Sequence, residues 1–163
     1  LSQGKDIIPL QKELEHAVSY LSIQNVRFQD KFTFTVDWDE KLADCLCPKL
    51  VIQPLLENAV YHGMEGMYED GEIQLKIYAV NELVHIDVID NGEGMTEAQV
   101  QKMMQGDVVS SKRGSGIGVK NVNDRIKLYF GEAYGVQIIS APDEGTTARI
   151  YFPMRRQEDE TEK

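Results

Sequence analysis

The sequence predicts an α+β fold in which a layer of helices covers one face of a mostly antiparallel sheet. Three observations predict it. Strand-like segments fall as two adjacent pairs near 72–89 and 136–152, each pair poised to close as a hairpin. A third strand, 32–38, alternates strictly, so it has one apolar face to cover. Helical patterns stand between these units and supply the cover.

The elements follow in order. Residues 9–28 read as a helix, because Leu10, Leu14, Val18 and Leu21 recur at a spacing of three to four. In 32–38, Phe32, Phe34, Val36 and Trp38 share one face and Thr33, Thr35 and Asp37 the other. Pro48 suits the first turn of a second helix and Gly63 its C-terminal cap. Pro54 inside it removes a donor, frees the Leu50 carbonyl and predicts a kink. Strands near 72–79 and 83–89 flank the polar pair Asn81-Glu82. Thr96 and Gln99 form a capping box that opens a short helix ending by Gly106. Residues 107–116 read as a loop, 117–130 as a long helix closed by Gly131, and 136–141 and 146–152 as the last strands. A domain over 1–153 and a polar tail over 154–163, frayed from Arg155, are expected.

At 163 residues the chain is one domain long and large enough to fold without disulfides. Its formal charge of −10 disfavours general nucleic-acid binding and adhesion to an anionic membrane. A local anion site is still compatible. Between Gly106 and Gly131 five basic residues face two acidic ones, a local balance of +3. Cys45 and Cys47 lack further metal ligands nearby and read as buried thiols of a reducing compartment. No apolar run is long enough to span a membrane and no signal peptide is present. The chain opens at Leu1 directly on structured-looking sequence, as a piece of a longer protein would.

Four segments could carry chemistry. In Asp90-Asn91-Gly92-Glu93-Gly94-Met95, a carboxylate ends an apolar strand and must find a donor, such as the exocyclic amine of a base. The two glycines would let backbone approach a ring. A plain strand-ending turn explains the hexapeptide equally well. In Gly114-Ser115-Gly116-Ile117-Gly118-Val119, alternate glycines precede a helix, whose N-terminal N–H groups and dipole could cradle phosphate. A flexible N-cap loop is the alternative, and Lys112 and Arg113 beside it favour the cradle. The spacing fits neither the dinucleotide fingerprint nor a P-loop. Asn58, Tyr61 and His62 share a helical face. The Asn58 amide oxygen could ligate Mg²⁺, or bond to a neighbouring strand. His62 could equally be an imidazole beside the last carbonyls. Gly145-Thr146-Thr147 at a strand start says little alone.

Together the four segments resemble the nucleotide-binding domain of the GHKL superfamily, which unites gyrase, heat-shock chaperone, histidine kinase and mismatch-repair proteins. Glu13-Leu14-Glu15-His16, Gln53-Pro54-Leu55-Leu56-Glu57-Asn58-Ala59, Gly116-Ile117-Gly118-Val119-Lys120-Asn121-Val122 and Asp124-Arg125-Ile126 narrow the likeness to the C-terminal kinase domain of YesM/LytS-type bacterial sensor histidine kinases. The resemblance covers roughly 1–153. It implies a two-layer GHKL (Bergerat-type) sandwich with a mixed sheet, and the ATP-binding catalytic domain of a two-component kinase. Asp90 would accept from the adenine amine, with Thr146 joined through water. Gly92, Gly94 and Met95 would lie about the base and His62 at the ring or lid. Asn58 would ligate Mg²⁺. Lys112, Gly114, Ser115, Gly116, Ile117, Gly118 and Val119 would hold phosphates, and residues 105–115 would form the lid. The implied partners are ATP and a cognate response regulator. An upstream segment of the same protein would supply the phosphoacceptor and the dimer contacts. The parent would be a membrane-anchored homodimer with this domain in the cytoplasm, and the piece alone a monomer.

The sequence departs from the superfamily pattern at three places. Relatives that hydrolyse ATP carry a general-base Glu four residues before the asparagine, where this chain has Pro54. Glu57 is the remaining catalytic candidate beside Asn58, but adjacent helical residues point about 100° apart. Tyr61 stands where many relatives have a phosphate-directed Lys. None of His16, His62 and His85 has the surroundings of a phosphoacceptor. A non-catalytic nucleotide sensor and a hydrolytic ATPase using Glu57 are the alternative functions.

Overall fold

A computed structural model describes residues 6–29, 31–63, 70–106 and 116–156. The main sheet has five strands in the order β2-β4-β5-β7-β6: β2 (Phe32–Trp38), β4 (Gly71–Val80), β5 (Leu83–Asp90), β6 (Gly135–Ser140) and β7 (Thr146–Pro153). β2 runs parallel to β4, and all other pairs are antiparallel. The helices are α1 (Leu10–Arg27), α2 (Ile52–Asn58), α3 (Glu97–Met104) and α4 (Gly116–Phe130). A second, two-stranded sheet pairs β1 (Ile7–Pro9) with β3 (Leu46–Pro48). Three-residue strands are too short to display a period, so the sequence pattern does not reveal this sheet.

Strand register explains the two layers. Ile73, Leu75 and Ile77 of β4 stand beside Asp90, Val88 and Ile86 of β5, and Val88 and Ile86 stand beside Ala148 and Ile150 of β7. This face is buried against Leu10, Leu14, Ala17 and Leu21 of α1, Leu55 and Leu56 of α2, and Val119, Val122 and Ile126 of α4. The other face is polar: Thr33, Thr35 and Asp37 are exposed. There Arg149 holds Asp87 through Nε at 2.8 Å and Nη2 at 3.1 Å, and the Tyr78 hydroxyl donates to the same carboxylate at 2.7 Å.

The expected capping box is present. The Gln99 N–H donates to Thr96 Oγ1 at 3.2 Å, and the Thr96 N–H donates to Gln99 Oε1 at 2.8 Å. Gly131, at φ +113°, ends α4 as expected. The second helix differs from expectation. Pro48 closes β3, Leu50 takes a left-handed conformation (φ +60°), and α2 begins only at Ile52. Pro54 therefore sits in the first turn, where no intrahelical acceptor is lost, and no kink is required. The Leu50 carbonyl is indeed left to another donor, the Arg125 guanidinium at 3.3 Å. Beyond Asn58 the helix widens into a π turn, Ala59–Gly63, in place of a simple glycine cap. Arg155 and Arg156, expected to open the frayed tail, are tied down. The Leu46 N–H donates to the Arg155 carbonyl at 2.6 Å, and Arg156 bridges to Cys45 and pairs with Asp44. Both cysteines are fully buried free thiols, and burial pushes both thiols up.

Candidate functional site

Asp90 ends β5 on the inward parity set by Val84, Ile86 and Val88, so its carboxylate is buried. Burial raises its pKa to about 6, against the lowering effect of N–H bonds from Gly92 (2.9 Å to Oδ1) and Thr146. A carboxylate offers about four acceptor sites, so two remain for a donor. The turn beyond it is tightly built. Asn91 Oδ1 accepts the Glu72 N–H at 2.7 Å and its Nδ2 donates to the Asp70 carbonyl at 2.9 Å. Gly94 (φ +71°) is required because a Cβ there would lie 2.0 Å from the Ala141 carbonyl oxygen. The close approach that this glycine permits is therefore to the β6–β7 connection. Met95 is buried, and its N–H donates to Ser140 Oγ at 2.9 Å. That same oxygen lies 2.8 Å from both the Gly145 carbonyl and Thr146 Oγ1. Ser140 thus joins the Asp90 turn to the Gly-Thr strand. Sequence reasoning missed it, because a lone serine at a strand end has no spacing to betray it.

Asn58 is buried at the end of α2. Its Nδ2 donates to Met103 Sδ of α3 at 3.5 Å, and its Oδ1 has no partner among the described residues. An orphaned buried amide oxygen is a costly feature and fits the donor set of a hard cation such as Mg²⁺. The helix start is held from both sides. Buried Glu13 of α1 accepts the N–H groups of Leu50, Val51 and Ile52, each at 2.9 Å. Arg125 of α4 donates to the carbonyls of Lys49 (2.6 Å) and Leu50 (3.3 Å). Glu57 is not brought to Asn58's face. It accepts from Gln53 Nε2 at 3.1 Å, and its charge adds to the burial that raises the Tyr20 pKa. Tyr61 turns to the end of α1, edge-on to Phe28 and within 3.3 Å of an Arg27 nitrogen. The backbone of His62 lies in the π turn; its side chain is outside the described residues.

Gly116, Ile117, Gly118 and Val119 form the first turn of α4, and the first four N–H groups of a helix lack partners within it. Val119 is fully buried, so only its backbone could serve a ligand. A Cβ on Gly118 would stand 3.5 Å from Pro54 Cβ, which sets this turn beside the start of α2. Lys112, Gly114, Ser115 and Arg113 lie outside the described residues, with most of the expected lid. The described cations of this stretch have structural partners: Lys120 pairs with Asp124 at 2.6 Å, and Lys127 Nζ donates to the Glu132 and Tyr134 carbonyls. The fold thus joins Asp90 and Thr146 directly. It packs the π turn after Asn58 on β5, and α3 on α4 and β6. The set offers acceptors at one end, a bare amide oxygen, and a helix N-terminus for anions.

Residues 44–156 match the family of histidine kinase-, DNA gyrase B- and HSP90-like ATPases. The sensor histidine kinase YesM of Bacillus subtilis is 37% identical over 153 residues, which are 94% of this chain and 25% of that protein. The sensor protein LytS of Bacillus anthracis is 33% identical over 154 residues (94% and 26%), and YpdA of Escherichia coli 32% over 149 residues (91% and 25%). The chain spans about a quarter of the length of these curated relatives. Among solved structures, the catalytic domain of histidine kinase ThkA superposes with a TM-score of 0.68 at 16% identity, covering 91% of this chain and 96% of that one. A mycobacterial sensor histidine kinase, MprB, gives 0.64 at 18%, covering 93% and 98%. At these identities the structures speak for the fold, a two-layer mixed-sheet sandwich.

Proposed function

Because the chain belongs to the histidine kinase-, DNA gyrase B- and HSP90-like ATPase family, we propose that it is the ATP-binding catalytic domain of a two-component sensor histidine kinase. The observation that carries this is Asp90: a buried carboxylate anchored by two N–H groups, with acceptor sites left for the adenine amine. Gly92 and the Met95 turn would border the base. The N–H groups of Gly116, Ile117, Gly118 and Val119 would bind phosphate oxygens, with Lys112, Gly114 and Ser115 continuing the cradle. Asn58 Oδ1 would hold Mg²⁺, which when bound neutralises charge on the phosphates. Glu57 and His62 remain proposed site residues, Glu57 through its place beside Asn58.

Kinase chemistry is supported over hydrolysis. Pro54 occupies the position of the water-activating base, and Glu57 is bonded to Gln53 on another side of the helix. Transfer to histidine needs no such base, since a neutral imidazole nitrogen attacks the γ-phosphorus directly while the bond to the β-phosphate oxygen breaks and ADP leaves. The acceptor histidine would lie on a segment preceding residue 1, which would also dimerise the parent. A response regulator would take the phosphoryl group onward. The parent would be membrane-anchored with this domain cytoplasmic; among the described residues no helix is long and apolar enough to cross a membrane.

Calorimetric titration with Mg·ATP tests the nucleotide assignment. Asp90→Asn places an amide donor against the amine and is expected to weaken binding at least about tenfold. Equal affinity of the two proteins overturns it. The kinase assignment predicts that the full cytoplasmic region, acceptor histidine included, becomes labelled from γ-phosphate-labelled ATP. It also predicts that Asn58→Ala abolishes labelling; no labelling of the wild type defeats it.

A further inference from the structure

The turn that leads into α2 is tied to two other helices through its two kinds of backbone group. The N–H groups of Leu50, Val51 and Ile52 go to Glu13 of α1, at 2.9 Å each. The carbonyls go to Arg125 of α4: Nη2 donates to Lys49 at 2.6 Å and Nη1 to Leu50 at 3.3 Å. α4 meets α2 at a second point, where a Cβ on Gly118 would stand 3.5 Å from Pro54 Cβ. Gly118 and Arg125 are seven residues apart, so they share one face of α4, about 10 Å apart along its axis. From Gly118 to Arg125 the partners step back from Pro54 to Leu50 and Lys49, so the two segments run in opposite directions and meet at both points. Apolar burial between helices is non-directional and resists a slide weakly. A guanidinium fork on two successive carbonyls resists it strongly, because a hydrogen bond weakens steeply with misalignment. Among the described residues, Arg125 is the side chain that fixes the slide of α4 along α2 by hydrogen bonds.

We propose that Arg125 is a positioning residue for the metal half of the site: by fixing this slide it holds the first turn of α4 in register with the Asn58 amide oxygen. The proposal rests on the reading of the site as one for Mg·ATP. Each helix carries one of the groups to be matched. α4 opens at Gly116 on the proposed phosphate cradle, and α2 ends at Asn58, whose Oδ1 has no partner among the described residues. Seven residues make α2 a single short body, so a shift at its start is carried to Asn58. Arg125 stands nine residues beyond Gly116, about 13 Å along the helix axis, and acts through the turn rather than on the nucleotide. Mg²⁺ demands near-ideal octahedral geometry, so it tolerates displaced ligands poorly. An anion at a helix N-terminus is held by several N–H groups together and is less exacting. Loss of register therefore strikes what the metal adds to binding and spares binding of the nucleotide without it.

The test is titration of the chain with ATP in excess Mg²⁺ and again in EDTA, which gives the factor by which the metal strengthens binding. Wild type is expected to show a large factor and Asn58→Ala almost none. Arg125→Met keeps the apolar stem and removes the donors. It should cut the factor about fivefold or more, while the affinity in EDTA stays within about twofold of wild type. A merely structural arginine, or one acting as a distant cation, would weaken ATP alike with and without the metal. A wild-type factor in Arg125→Met, or an equal loss under both conditions, overturns the proposal. Should Arg125→Met not fold, Arg125→Lys decides: it keeps the charge but loses the fork, and a wild-type factor there overturns the proposal. A factor lost in Asn58→Ala yet kept in Arg125→Met defeats only this inference. Wild type that binds ATP with no gain from Mg²⁺ defeats the metal reading of Asn58, and wild type that binds no ATP defeats the nucleotide reading; this inference falls with either.

Discussion

Asp90 is placed where it weakens the empty fold. Its pKa is raised to about 6 from a usual value of 3.8, chiefly by burial. Between those values the folded state holds a proton that the unfolded chain has released, so stability falls as pH rises through this window and stays lower above it. The shift corresponds to roughly 1–3 kcal/mol at neutral pH. Asp90→Asn is therefore expected to raise the stability of the ligand-free domain by about that amount at pH 7 while removing its nucleotide affinity. The gain should shrink as pH falls from about 6 and close only below 3.8, where Asp90 becomes protonated in both states. Thermal unfolding of both proteins across pH checks it, and a gain that persists unchanged below 3.8 contradicts the burial account. Asp90 was legible in the sequence because the two glycines flag it. Ser140 was not, because its role comes from three contacts made by two distant turns, and the capping role of Glu13 reaches a segment 37 residues away.

At the scale of elements, the short helix α2 owes its position to its neighbours. Seven residues cannot hold a helix in water on their own. Glu13 supplies from α1 the capping acceptor that the local sequence lacks, for Val51 makes no side-chain cap. That is also why the start of the helix was misread: Pro48 is a locally sound N-terminal signal, and the cap that overrides it lies 37 to 39 residues away. Glu13→Ala leaves three N–H groups without their acceptor and is expected to cost about 2–3 kcal/mol by urea unfolding, with weaker ATP binding because Asn58 loses its mount. Arg125→Ala removes two partly solvated bonds from the same turn and should cost only about 1 kcal/mol. A smaller loss for Glu13 than for Arg125 would contradict this division. Gly118 invites the opposite change. A Cβ there makes ordinary contact with Pro54 at 3.5 Å, so Gly118→Ala should stabilise by about 0.5–1 kcal/mol through helix propensity. If the turn serves phosphate through its N–H groups alone, ATP affinity should survive the substitution.

For the whole molecule, the hairpins, the helix layer and the polar outer face were readable, because each follows from a local period or turn. Strand neighbours were not: the β5–β7 pairing and the parallel β2–β4 pair join segments far apart in sequence, and no local pattern encodes them. Charge shows the same limit. The sequence placed a +3 stretch at the proposed phosphate side, yet within it Lys120, Arg125 and Lys127 are engaged with Asp124 and with backbone carbonyls. Among the described residues, attraction of the proposed phosphates would thus fall to the first turn of α4 and to the cation proposed for Asn58. A chain of net charge −10 opposes a polyanion at long range, and partial helix charges offset only part of that. Chelation of Mg²⁺ with EDTA is accordingly expected to weaken ATP binding strongly in the wild type. In Asn58→Ala the affinity should already be low, and EDTA should change it little, because the bare amide oxygen is the described group suited to the ion. Titrations of both proteins with and without EDTA measure the coupling. Equal EDTA effects in the two would remove Asn58 from the metal site and leave its buried oxygen to be explained by packing against α3.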